Sequence, residues 1–391
     1  MFFHIVFLRN IKYCMKKLNL KGIKKHFNRL IIACLVVVLV FCLPLVSGKT
    51  EDGLSILFDA FVGTKSKFQG VIEIWNIDSF EGGSVSKTDA LKKVSAEFQK
   101  ENKGAYVLVR SVSETECENL LKSGQVPDMF SCSTVVAEKL KPYLQKIEME
   151  KSLVYDNFLN AGKDEKGDLF GLAWCCNFYF LISTKSNLEK AGVSDFDDFE
   201  LSNHVLNLGY EKVLKNSSKT IYSCSVGRGK YLLPFECLKT YNDKGEFLEK
   251  SFNEAIYKDT SYSAYVDFVL GNSVVLLGNY HDVIRMENKI KQGKVADVLF
   301  EWVSSATDMT QFLFFAKTEN HDKTKAMEDF ASKITSGDVQ NKISKMGLVP
   351  VCDFDGKTGV MKHIALDKIK DCKVFNVFVS KKEIEKLQQN F

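Results

Sequence analysis

Aromatic and short polar side chains gather where the sequence predicts strands to end. Trp75 closes a β-branched run at 71–75, and the glycine-bearing loop 76–83 that follows carries Ser79 and Glu81. Cys132 and Ser133 follow a second run, just after a turn with Pro127 and Asp128. Trp174 and Asn177 precede the apolar run 178–182, Tyr280 and Asp282 follow 273–277, and Trp302 lies within 298–303. An aromatic face ringed by fixed donors and acceptors suits a small polar molecule with flat apolar faces. Each polar group there must find a partner once water is excluded. Packing offers a second reading for some: Trp75, Trp174 and Trp302 also suit a core, Glu81 a solvated loop charge, and Asp128 a bond to its own turn. Catalysis finds little support. The chain has no GxSxG elbow, no HExxH and no phosphate loop. Cys175 or Cys176 with His204 or His281 forms only a nominal nucleophile–base pair, which any cysteine-rich chain offers. His281 alone reads as a surface residue. No metal and no cofactor is expected.

The first 48 residues stand apart from the rest. They carry eight basic residues and no carboxylate, and 30–46 is an uncharged, almost wholly apolar run. A basic start before a short apolar core is the pattern of an export signal, with Met15 a plausible true start and cleavage after Gly48. An uncleaved anchor is the rival, since 17 apolar residues lie at the lower limit for a span. Setting this segment aside reverses the charge: 45 basic residues face 49 acidic ones. A nucleic-acid partner thereby loses its main support. Eight cysteines remain after residue 48, none in CxxC spacing, so structural zinc is not expected. Export permits disulfides, but buried thiols acting as small hydrophobes serve a chain of this size equally well.

After a linker at 49–69, the elements needed to position the strand-end residues follow in α/β order. A strand at 71–75, a helix capped by Ser86 or Thr88 and a strand at 106–109 make a βαβ unit, with Gly104 just past the helix. Its first loop lies at the carboxyl end of a strand, where open α/β sheets place ligands. Helices are expected at 114–122, 135–144, 264–269, 283–291, 323–335 and 339–346. Strands are expected at 129–132, 178–182, 273–277, 298–303 and 312–316, with 278–282 as a loop. The stretch 194–260 shows only weak pattern.

The order of these segments resembles one family, the bacterial extracellular solute-binding proteins of the sugar-binding type. Residues 72–75 with the helix ending at Glu97–Asn102, the turn Gly124-Gln125-Val126-Pro127-Asp128, the stretch from Gly171-Leu172-Ala173 to Val193, and 273–280 with 326–350 carry the likeness. Ala173 stands where the family usually has Pro, Ser183-Thr184 replaces its Tyr-Asn, 194–260 lacks a clear Thr-Trp-Asp-Glu helix start, and the tail after Asp355 is short and unfamiliar. The resemblance implies an α/β, two-lobed periplasmic-binding-protein type II fold, each lobe a mixed, mostly parallel sheet flanked by helices. Lobe 1 is expected over 70–178 with part of 305–325 returning to it, lobe 2 over 179–304, and closing helices and a tail over 326–391. It further implies a non-enzymatic monomer, exported, that closes on a sugar or oligosaccharide and docks on permease subunits of an ABC importer. Asn177 would then be a polar ligand contact and Tyr280 a stacking ring. A membrane-tethered sensor on the same fold and a glycan-active hydrolase are the alternatives.

Overall fold

The computed structural model describes residues 65–78, 80, 85–149, 152–190, 222–227, 255–258, 260–302, 306–354, 363–364 and 366–378. Contacts divide the chain after Thr64, and all elements below belong to the unit that starts at Lys65. The expected export signal, most of the linker and most of 194–260 lie outside the described residues, as does the chain beyond 378. No helix among the described residues is long and apolar enough to cross a membrane.

Strand β1 (Lys65–Asn76) and β2 (Lys103–Ser111) flank helix α1 (Lys87–Glu101). The Ser86 hydroxyl accepts from the Asp89 amide at 3.1 Å, giving α1 a capped start with a carboxylate at its positive end. Ala90, Leu91, Val94 and Phe98 then fall on one buried face. Gly104 turns the chain into β2 with φ +97°, and a Cβ there would meet the Gln69 side chain at 2.0 Å. Helix α2 (Glu114–Lys122), β3 (Met129–Cys132), α3 (Thr134–Leu140) and β4 (Leu144–Gln145) follow. Next come α4 (Asp156–Ala161), β5 (Gly171–Cys176), β6 (Tyr179–Thr184) and α5 (Lys185–Lys190). Beyond them lie β7 (Tyr222–Gly227), β8 (Ala255–Lys258), α6 (Ser261–Val269), β9 (Ser273–Asn279), α7 (Tyr280–Lys291) and β10 (Val298–Trp302). The chain continues through β11 (Ala306–Thr307), β12 (Thr310–Ala316), α8 (His321–Ile334) and α9 (Gly337–Lys345) to β13 (Lys373–Val374).

Two sheets result. The first runs β2-β1-β3-β12-β4, with β5 also on β12, and the second runs β10-β6-β9-β7-β8. β12, far along the chain, pairs antiparallel with β3 through Phe312–Cys132 and Phe314–Phe130, and thus closes the first sheet. Helices α1 and α8 meet over it, the Phe98 and Phe330 rings edge to face at 5.4 Å.

Several expectations need correction. β1 starts at Lys65, where it pairs with Lys103, so the strand takes in the last part of the expected linker. The strand expected at 178–182 runs over Tyr179–Thr184, and a further strand not expected, Gly171–Cys176, lies in the other sheet, with Asn177-Phe178 between them. Parallel ladders do not dominate: β12 is antiparallel to β3, β4 and β5, and β6 is antiparallel to β9 and β10. Residues 280–282 are the first turn of α7 rather than a loop.

Candidate functional site

Strand order carries the chain from the first sheet to the second at 177–178, and the chain is back in the first sheet at Thr310, just after Ala306–Met309. The two crossings are bonded to each other. The Asn177 amide donates to Met309 O at 2.8 Å, and the Thr307 hydroxyl donates to Asn177 O at 2.6 Å. The Tyr179 hydroxyl donates to Asp308 Oδ1 at 2.9 Å.

Beside the crossings, at the carboxyl ends of β1 and β3, lies a buried polar cluster. Gln311 Nε2 donates to Asn76 Oδ1 and Ile77 O, each at 3.2 Å, and lies 3.1 Å from Ser131 Oγ. The Ser131 hydroxyl donates to Asn76 Oδ1 at 2.8 Å and accepts from Trp174 Nε1 at 3.2 Å. Asn76 Nδ2 reaches the Thr88 hydroxyl at 2.9 Å, which links the cluster to the start of α1. Strand alternation explains the convergence. Leu313 faces Ser131 across the β3–β12 ladder, so Gln311, two residues before Leu313, leaves β12 on the same side. Among the described residues three buried atoms near these strand ends have no hydrogen-bond partner: Gln311 Oε1, Ser133 Oγ and Trp302 Nε1. The first two come from the first sheet and its edge, and Trp302 comes from the edge strand of the second. Thr310 Oγ1 also lacks a partner, but it leaves β12 on the side opposite Gln311. Trp302 is only half-buried and meets Phe178 edge to face at 5.2 Å.

The other sequence-derived candidates occupy different environments. Ser79 and Glu81 lie outside the described residues. Trp75 points to the opposite side of β1: its Nε1 donates to Glu73 Oε1 at 2.9 Å and its ring meets Phe130 edge to face. Cys132 lies on the side of Trp75 and Phe130, not on the cluster's side, and burial pushes its thiol well up. Trp174 is fully buried in the cluster, and its carbonyl accepts from Gln340 at 3.0 Å. Asn177 is 2 % exposed, and its Oδ1 accepts from the Phe178 amide at 2.8 Å and the Tyr280 amide at 3.0 Å. Tyr280 does not present a loop ring. It is 1 % exposed and tilts against Phe180 at 5.8 Å, because it opens α7 instead of ending a loop. Burial raises its phenol above the ordinary range. Asp282 completes the capping box of α7, accepting from the Asn279 amide at 3.0 Å and from Arg285 at 2.9 Å. Asp128 does not bond its own turn as expected: one carboxylate oxygen accepts from the Glu73 amide of β1 at 2.8 Å and the other from Lys323 Nζ at 2.6 Å.

Thr310 and Gln311 escape sequence reasoning because they sit just ahead of an apolar run, and only pairing with β3 reveals the strand end they reach. Among the described residues no group of His, Cys, Asp and Glu has the geometry to hold a metal ion.

No family model and no curated protein matches the chain. Solved structures do match its fold. The sugar-binding protein MalE from Xanthomonas citri aligns over 82 % of this chain and 91 % of its own, at 13 % identity and a TM-score of 0.59. Maltose-bound MalE3 from T. maritima aligns over 82 % and 92 %, at 15 % identity and a TM-score of 0.54. Iron-bound HitA from Pseudomonas aeruginosa aligns over 82 % and 97 %, at 12 % identity and a TM-score of 0.54. Sugar-binding and iron-bound proteins thus share this architecture, and the chain has the two-lobed α/β fold of the type II solute-binding proteins.

Proposed function

We propose that this chain is an exported, non-catalytic solute-binding protein that takes a small neutral polar ligand, a sugar or oligosaccharide, between its lobes. The ligand then passes to permease subunits of an ATP-driven importer. Two sheets joined by two short crossings can hinge, and a ligand that contacts both lobes favours the closed arrangement.

The observation that carries the reading is the set of buried polar atoms without protein partners beside the crossings. Leaving such a group unpaired costs about 1–3 kcal/mol, so a set of them marks a place that something else completes. Their chemistry selects the guest. Trp302 Nε1 can only donate, Gln311 Oε1 can only accept, and the Ser133 hydroxyl does both. Sugar hydroxyls also do both. A carboxylate or phosphate would face the Gln311 oxygen without a proton between them. The half-buried indole of Trp302 would supply the flat apolar contact first assigned to Tyr280.

A thermal-shift screen over mono- and oligosaccharides tests this, since ligand at 100 times its Kd raises stability by about 2.7 kcal/mol. At least one sugar should raise the melting temperature, and Trp302→Ala should reduce that shift while leaving the unliganded melt nearly unchanged. Stabilisation by iron or inorganic phosphate with no response to any sugar would overturn the ligand class.

A further inference from the structure

A second concave surface lies on the second lobe, away from the crossings, between α6 and α7. The groove has a volume of about 420 Å³. α6 contributes Tyr262, Tyr265, Val266 and Val269, and α7 contributes Arg285, Asn288 and Lys289. On each helix these residues are three and four apart, so each presents one continuous stripe to the groove. α7 starts at Tyr280, beside Asn177, and Lys289 lies nine residues on, roughly 13 Å along the axis at 1.5 Å per residue.

The lining is both aromatic and cationic. The Tyr262 and Tyr265 rings stack at 6.3 Å and 21°. The Arg285 guanidinium lies 5.0 Å from the first ring centroid and 5.5 Å from the second, and the Lys289 ammonium lies 5.8 Å from Tyr265. Arg285 is fixed in that position by the fully buried Asp282 at 2.9 Å. No carboxylate lines the groove. Tyr262 is 54 % exposed and Leu270, at the rim, 63 %. Large apolar side chains this open at both ends of one helix face and bordered by cations mark an interaction surface rather than ordinary surface scatter.

We infer that this groove docks an amphipathic helical segment of a partner protein, one that carries acidic residues beside its apolar stripe. Two helix stripes around a trough fit a third helix, whose apolar side chains would lie on Tyr262, Val269 and Leu270. Its carboxylates would meet Lys289 and Arg285, the latter already oriented and requiring little further ordering. The inference does not depend on what the interlobe site binds.

Fluorescence anisotropy on the full chain tests it, with a labelled synthetic helical peptide bearing Leu at positions i and i+4 and Glu on the flank. A peptide with Gln in place of Glu, and one with Lys, serve as controls. The Glu peptide should bind roughly tenfold tighter than the Gln peptide at low salt, the gap closing as salt screens the charges. Tyr262→Ala and Lys289→Glu should each weaken binding about tenfold, and Lys289→Glu should recruit the Lys peptide in its place. Unchanged melting temperatures for both variants keep a folding defect apart from a lost contact. Equal binding of all three peptides, or binding indifferent to both variants, would overturn the inference. So would no peptide binding at all, with the groove instead taking maltose, phosphatidylglycerol vesicles or a second copy of the chain.

Discussion

Ser133 and Gln311 belong to one cluster, but their loss should read out differently. The Ser133 hydroxyl has no protein partner, so Ser133→Ala should leave unliganded stability within about 0.5 kcal/mol and weaken ligand binding by about 1 kcal/mol. Calorimetric titration beside a thermal melt separates the two quantities. The Gln311 amide nitrogen lies within hydrogen-bond reach of three acceptors and can serve two of them at once. Gln311→Ala should therefore lower the stability of the unliganded protein itself, by about 1–3 kcal/mol. The cysteines give a pH test. Burial pushes the Cys117 thiol from 9.0 up to about 11, and Cys352 and Cys372 up to about 12. A pKa raised on folding means that the unfolded chain sheds its proton first. Stability from these thiols is complete below pH 9 and falls as pH climbs from 9 toward 11 and 12. Denaturant titrations should show that fall, and a thiol reagent at pH 7.5 should leave these three residues unlabelled until the chain unfolds.

Two elements depend on single asparagines. Asn279 ends β9 and caps α7, its Oδ1 accepting from the His281 amide at 2.8 Å while Asp282 answers from the third position. Asn279→Ala should cost about 0.5–2 kcal/mol in a thermal melt, and it frees the turn that carries Tyr280. Asn157, on α4, donates to the Ile369 and Cys372 carbonyls, each at 2.8 Å, and so holds the chain just before β13. In Asn157→Ala, hydrogen exchange should quicken over 366–374, including the amides that pair β13 with β11, while the first-sheet strands stay protected. Both asparagines show how much of this fold was open to sequence reading. Ser86, with Asp89 three residues on, announced α1, and the 114–122 and 129–132 elements were legible from spacing alone. Asn279 carried the same signal before 280–282. It was hidden because Gly278 and Asn279 also spell a turn, and a strand that runs straight into a helix leaves no loop between them.

At the scale of the molecule, addition of a stabilising sugar should lower the radius of gyration measured by small-angle scattering, as the proposed closure requires. An unchanged radius with tight binding would mean that the two sheets do not move. Local order along the chain was readable because strand and helix periods are local properties: buried runs such as 178–182 and amphipathic stretches such as 323–335 declare themselves over a few residues. The order of those segments was enough to single out a two-lobed α/β architecture. Which strand ends share the buried polar cluster depends instead on pairing between residues far apart in the chain. β12 lies more than 170 residues beyond β3, yet places Gln311 against Ser131. It also leaves Trp75 and Cys132 on the opposite side. Side chains alternate every residue, so a strand end named from sequence has an even chance of pointing the wrong way until its neighbours are known. For this protein, residue periodicity determined the elements and their order, whereas long-range pairing decided which polar atoms stayed without partners.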